Sequence, residues 1–203
     1  MNIHPAVWEQ LGSLFRYPDE GYGRRLQQCR KALETCDPRA AAGLLEAEEA
    51  LAGKGTAALE ELYTRTFDLN PTCALEAGWH LYGEAYERGR FMVRCRDLLA
   101  ELGVEERGEL PDHLSSLLPA LGRLSEELAA PFSARFLLPA LLEMRGALRE
   151  KGSDFAGLLE AAVALAEEKK GELPVARPQQ RIDRDLVQIG RAGVPTPAGR
   201  PVA

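Results

Sequence analysis

EAYERGRFMVRCRDLLAEL, residues 84–102, decides the fold class. Phe91, Cys95, Leu98 and Leu102 fall along one face at helical spacing, and Gly103 follows as terminator. A helix of that length reaches about 28 Å and predicts the spine of a helical domain.

The chain on either side repeats the pattern. Residues 71–82 predict a helix with Trp79 and Leu81, and Gly83 marks a break or a close packing contact. Upstream, Gly53-Lys54-Gly55 breaks the chain and Thr56 is positioned to cap a helix whose apolar stripe is Leu59, Leu62, Tyr63 and Phe67. That stripe ends at the turn Asp68-Leu69-Asn70-Pro71. Three further helices precede it. The first carries Val7, Trp8, Leu11, Leu14 and Phe15, and the second Leu26, Cys29 and Leu33. The third has Asp37 as cap, Pro38 at its first position, and Leu44, Leu45 and Leu51 turned inward.

Downstream of a linker at 104–111, Asp112 is placed to cap a helix bearing Leu114, Leu117, Leu118, Leu121 and Leu124, with a kink or broken turn at Pro119. Residues 133–151 and 154–170 complete about nine helices, the last stopped by Gly171. No strand pattern competes. The expectation is an all-α, single-domain helical bundle over residues 1–171. The Pro-rich tail at 172–203 is expected to be disordered, and its segment 182–189 is a candidate for docking on the body or on a partner.

Composition agrees with this reading and narrows function. Leu and Ala dominate an apolar fraction of 45% over 203 residues, a helix-forming mixture large enough for a core without staples. The net charge is −6, which argues against nucleic-acid binding and suits a basic partner. The tail carries +2 of that total, leaving −8 on the helical body. No apolar run approaches the ~20 residues of a membrane span, and the first residues lack the features of an export signal, so a soluble cytoplasmic protein is expected. Cys29, Cys36, Cys73 and Cys95 form no C-x-x-C pair and read as reduced structural thiols.

Catalytic patterns are missing. The chain has no phosphate-binding glycine loop, no dinucleotide fingerprint, no G-x-S-x-G and no H-E-x-x-H. Glu76, His80 and Glu84 at helical spacing are the nearest approach to a metal set, and an exposed polar face explains them more simply. No cofactor is expected.

Three blocks combine polar and aromatic residues beyond what packing demands: LYTRTFDL at 62–69, HLYGEAYERGRFMV at 80–93 and ELPDHL at 109–114. Phe67 and Asp68, with Tyr82, Glu84 and Tyr86, supply apolar surface and negative charge together, a combination suited to an amphipathic helix with a basic face. In ELPDHL, Glu109 precedes a rigid entry at Pro111, Asp112 acts as cap, and His113 sits in the first turn. Gly83 and Gly89 are expected to let core helices pack closely, and Arg88 to pair with Asp112 or Glu109.

In this order and at these separations the blocks resemble the NarJ-type nitrate reductase molybdenum-cofactor assembly chaperones, a branch of the dedicated chaperones for molybdenum oxidoreductases. The resemblance implies an all-helical fold and no enzymatic activity. It implies a partner, the apo catalytic (alpha) subunit of a molybdenum oxidoreductase, bound at its N-terminal segment until the molybdenum cofactor is inserted. The protein is then expected as a monomer or weak homodimer. One departure stands out: Gly83-Glu84-Ala85-Tyr86-Glu87-Arg88-Gly89 has Ala-Tyr where the family commonly has Ser-Arg. Nitrate reductase is the client implied; another molybdenum enzyme of the superfamily, or a permanent adaptor role, are the alternatives.

Overall fold

A computed structural model describes residues 3–175. Within that span the chain is helical and contains no strand; a single antiparallel bridge joins Glu76 to His113. The expectations for the tail, its disorder and the docking of residues 182–189, lie beyond residue 175 and outside the described residues.

Local chemistry sets the helix starts. In α1 (Pro5–Ser13) the His4 ring accepts the Ala6 amide at 3.2 Å. Helix α2 (Tyr22–Leu33) buries Leu26, Cys29 and Leu33, and α3 (Pro38–Leu51) is capped by Asp37, whose carboxylate accepts the Ala40 amide at 2.9 Å. Leu44 and Leu51 face inward, but Leu45 is exposed, one step of about 100° around the helix from Leu44. Helix α4 (Thr56–Tyr63) takes Gly55 as its cap, so Thr56 lies inside the first turn without the capping bond expected of it.

Helix α4 runs directly into a π-helical turn, Thr64–Asp68, and a 3-10 turn at Pro71–Cys73 follows. Helix α5 (Ala77–Tyr82) ends at Gly83, whose φ of 57° is in the left-handed region. An extended Ala85 then delays α6 (Tyr86–Leu102), which starts two residues later than the sequence suggests and ends at Gly103 with φ 64°, as expected.

Helix α7 (Leu114–Arg123) continues through Pro119 without the expected broken turn. The ring lies against Gly12 of α1, where a Cβ would fall 2.7 Å from Pro119 Cδ. Unanticipated is α8 (Glu126–Phe132), which passes through a second π-helical turn, Ser133–Leu137, into α9 (Leu138–Glu150). Pro139, near the start of α9, has no amide to offer the Arg135 carbonyl, a local loss that a widened turn accommodates.

The spine is not α6. It is α10 (Ala156–Lys170), which buries ten residues around most of its circumference and packs on α3, α8 and α9. Its approach to α3 is a glycine crossing: a Cβ on Gly157 would sit 2.2 Å from the Gly43 carbonyl. Helix α6 buries only Phe91, Cys95, Leu98 and Leu99, because it lies at the outside against α5 and α7. Cys29, Cys73 and Cys95 are buried free thiols and Cys36 is half-buried. No helix of the described residues is long and apolar enough to cross a membrane.

Candidate functional site

The polar and aromatic blocks converge at the N-terminal end of α10. Phe155, just before that helix, meets Phe67 at 5.1 Å and Tyr63 at 6.1 Å between ring centroids. Tyr63 also meets Phe67 at 4.9 Å and Tyr17 at 5.5 Å, forming an aromatic wall. The π-helical turn at Thr64–Asp68 is what places Phe67 inward and Asp68 outward here. The Tyr63 hydroxyl donates to the Phe15 carbonyl at 2.9 Å, and burial pushes its pKa well above the usual range, so it stays a neutral donor.

The opposite wall is a clamp between two chain segments. The Ala77 amide donates to the Asp112 carbonyl at 2.8 Å and the Leu114 amide to the Leu75 carbonyl at 3.0 Å. The sequence predicts Asp112 as the cap of α7, but Asp112 is fully buried and its Oδ2 accepts the Gly78 amide at 3.1 Å instead. The cap is His113, one residue later, whose Nδ1 accepts the Ser115 amide at 3.1 Å. With Nδ1 so occupied, the neutral ring carries its proton on Nε2. Burial lowers the His113 pKa to about 4, with repulsion from Arg16 adding to it. Burial raises the Asp112 pKa, and Arg88 opposes that rise.

Arg88 does pair with Asp112, at 3.9 Å, and its guanidinium stacks over Trp79 at 5.4 Å from the ring centre. The same crowding explains Gly78: a Cβ there would lie 2.5 Å from Asp112 Oδ2 and 3.0 Å from Phe91.

Between the walls is a pocket of about 400 Å³. Asp68, Glu76 and Glu109 all line it. Glu109 is half-buried, and desolvation together with the Glu76 and Asp68 carboxylates raises its pKa, while Arg16 pulls it down. Three carboxylates, one guanidinium (Arg88) and several aromatic rings thus share one pocket, a chemistry that can accept a cation with an apolar body.

The structure thus brings Phe67, Asp68, Arg88, Glu109 and His113 into one site, with Pro111 and Asp112 buried behind it. It separates the others. Tyr82 packs on Phe91 at 5.6 Å and does not line the pocket. Glu84 and the 81% exposed Tyr86 lie past Gly83 and outside the lining. Close packing at Gly83 and Gly89 is not found, since a Cβ at either would meet nothing within 4 Å; Gly83 serves a left-handed turn instead. The possible metal set is dispersed as well: His80 bonds the Ala74 carbonyl at 2.7 Å, and Glu84 lies beyond the break at Gly83. Tyr17, Glu76 and Trp79 were not among the predicted peptide-binding residues, and Tyr63 entered that prediction only as part of the block at 62–69. Of the first three, Tyr17 had a local signal, an aromatic left outside α1 just before Pro18.

The model of the nitrate reductase delta subunit family matches residues 23–161. The chain belongs to that family. The match contains every pocket residue except Tyr17, and spans helices α2 to α9 and part of α10. No curated protein is significantly similar to the chain. Membership of the nitrate reductase delta subunit family implies a chaperone role in nitrate reductase assembly and not a catalytic one.

Proposed function

We propose that this delta-family chain is a chaperone that binds the apo catalytic subunit of a molybdenum oxidoreductase, nitrate reductase by its family, at the N-terminal segment. It holds that subunit competent for molybdenum-cofactor insertion. The observation that carries the reading is the pocket itself: aromatic walls with Asp68, Glu76 and Glu109 gathered at its edge. An amphipathic helix laid there would bury its apolar side on Tyr17, Phe67 and Trp79 and set a lysine or arginine among the carboxylates. The reading requires the cytoplasm, where an apo subunit is available before assembly.

Calorimetric titration of the full chain with the N-terminal peptide of the same organism's nitrate reductase catalytic subunit tests it. Binding of about micromolar strength is expected, weakened about tenfold in Glu109→Gln and more in the Asp68→Asn, Glu109→Gln pair. These side chains are partly exposed, so the variants should fold. Absence of binding to the wild type would sink the peptide reading, and undiminished binding by both variants would move the contact away from this pocket.

A further inference from the structure

A second cleft of about 510 Å³ draws on two of the chain segments that line the acidic pocket. The shared segments are short. Arg16 lines the second cleft and its neighbour Tyr17 the first; Arg107 lines the second and Glu109 the first. The two clefts therefore differ in charge: Asp68, Glu76 and Glu109 against Arg88 in the first, and Arg16, Arg107 and Arg123 against Glu9 and Glu105 in the second.

The three arginines of the cleft are not equivalent. Arg123 is committed to the fold: it donates to the Leu102 carbonyl at 2.9 Å and the Gly103 carbonyl at 2.6 Å, and pairs with Glu9. Arg107 is half committed. It pairs with Glu105 at 3.3 Å, with its side chain 60% exposed. Its backbone has a φ of 51°, the single left-handed position outside glycine among the described residues. It occupies a turn closed by the Glu109 amide on the Glu106 carbonyl at 3.1 Å, beside Gly108 with φ 90°. A long branched-charge side chain is disfavoured there, and glycine or asparagine would hold the turn with less strain.

Arg16 is uncommitted. Its Nε is buried without a hydrogen-bond partner, and among the described residues no carboxylate lies within ion-pair distance of its guanidinium. Burial lowers its pKa, and repulsion from Arg107 and Arg25 adds to that, while the charges of Glu109 and Glu105 oppose it more weakly. A half-buried guanidinium without a carboxylate partner is costly, and an acceptor entering the cleft that Arg16 lines would offset that cost at its reachable nitrogens.

We propose that this cleft is an oxyanion-binding site, in which the Arg16 guanidinium receives a carboxylate or phosphate group and Arg107 supplies the second positive charge. The planar fork of arginine matches two oxygens of either group. The volume is that of a small-ligand site, commonly about 300–1,000 Å³. The oxyanion comes either from free phosphate or from an acidic side chain of a segment bound in the acidic pocket.

The test is calorimetry of the full chain with inorganic phosphate at low ionic strength, where such contacts are least screened. Saturable binding with a Kd of about 1 mM or tighter is expected, weakened about tenfold in Arg16→Gln and severalfold in Arg107→Gln. Arg94→Gln, an exposed α6 residue paired with Asp97 and outside the cleft lining, should change nothing. Without phosphate, Arg16→Gln should melt no lower than the wild type, whereas an arginine that held the fold together would leave a less stable variant. Phosphate displaced by the catalytic-subunit peptide identifies a client carboxylate as the source; phosphate retained beside it identifies a free oxyanion. No saturable binding to the wild type, or equal loss in Arg94→Gln, overturns the proposal.

Discussion

His113 shows how one side chain ties the site to the fold. Its pKa, about 4 in place of an ordinary value of 6.5, means that the folded protein refuses a proton that the unfolded chain accepts. The neutral ring's stabilisation is complete above pH ~6.5 and disappears as the pH falls towards ~4, an effect of about 3 kcal/mol at full extent. Asp112 and Glu109 act in the opposite sense, because burial raises their pKa and the folded state takes up protons more readily as the solution is acidified. His113→Asn separates these contributions: asparagine retains an acceptor for the Ser115 amide but cannot titrate. Urea unfolding at about pH 7.5 and about pH 5 should show a larger loss for wild type than for the variant, and equal losses would show that the ring is not the source. Asp112 is a poor probe of binding by comparison. Its removal leaves the buried Gly78 amide without its acceptor and takes the carboxylate partner from Arg88 at the pocket wall, so a binding defect could not be separated from a folding one.

At the scale of elements, glycines of identical chemistry have opposite roles. Gly157 lies where α10 crosses α3, and a Cβ there would overlap the Gly43 carbonyl at 2.2 Å and the Ala47 amide at 2.7 Å. Gly89 lies within α6, exposed, with nothing within 4 Å. Gly157→Ala should therefore destabilise by about 2 kcal/mol or more, as overpacked helix contacts do. Gly89→Ala should stabilise by about 0.5–1 kcal/mol, the gain in helix propensity alone. Chemical unfolding of the two variants checks both signs. A loss at Gly89 would reveal a close neighbour that the structure does not contain. Sequence spacing could not tell these positions apart, because both sit among ordinary helix formers and only the crossing partner differs.

At the scale of the molecule, the buried side chains form one continuous cluster, from Trp8 at the α1–α7 contact through α10 to Phe67 and Phe155 at the pocket. Trp79, at the pocket wall, and Trp8 report on its two ends. A continuous core of this kind predicts one cooperative transition. Single-tryptophan variants, Trp8→Phe and Trp79→Phe, should unfold in urea with midpoints that coincide with loss of helix by circular dichroism, each measured on its own variant. Separated midpoints would mean that the pocket end opens as its own unit. Coincident midpoints would mean that the pocket end unfolds together with the core behind it.

Periodicity and composition determined the all-α class and most helices by themselves, because a 3.6-residue apolar stripe is a local property of the chain. Asp37, Pro38, Gly103 and Gly171 marked boundaries for the same reason: caps and left-handed terminators act within a few residues. The motif blocks also pointed to Phe67, Asp68, Glu109 and His113. What surrounds those four was decided in three dimensions. Tyr17, Tyr63, Glu76 and Trp79 reach the pocket through the π-helical turn and through hydrogen bonds between residues 75–78 and 112–114, contacts that no spacing along the chain encodes. The spine, too, was a tertiary outcome. Helix α6 has the more obvious stripe, but α10 is small and apolar nearly all round, and only such a surface can be buried on several sides at once.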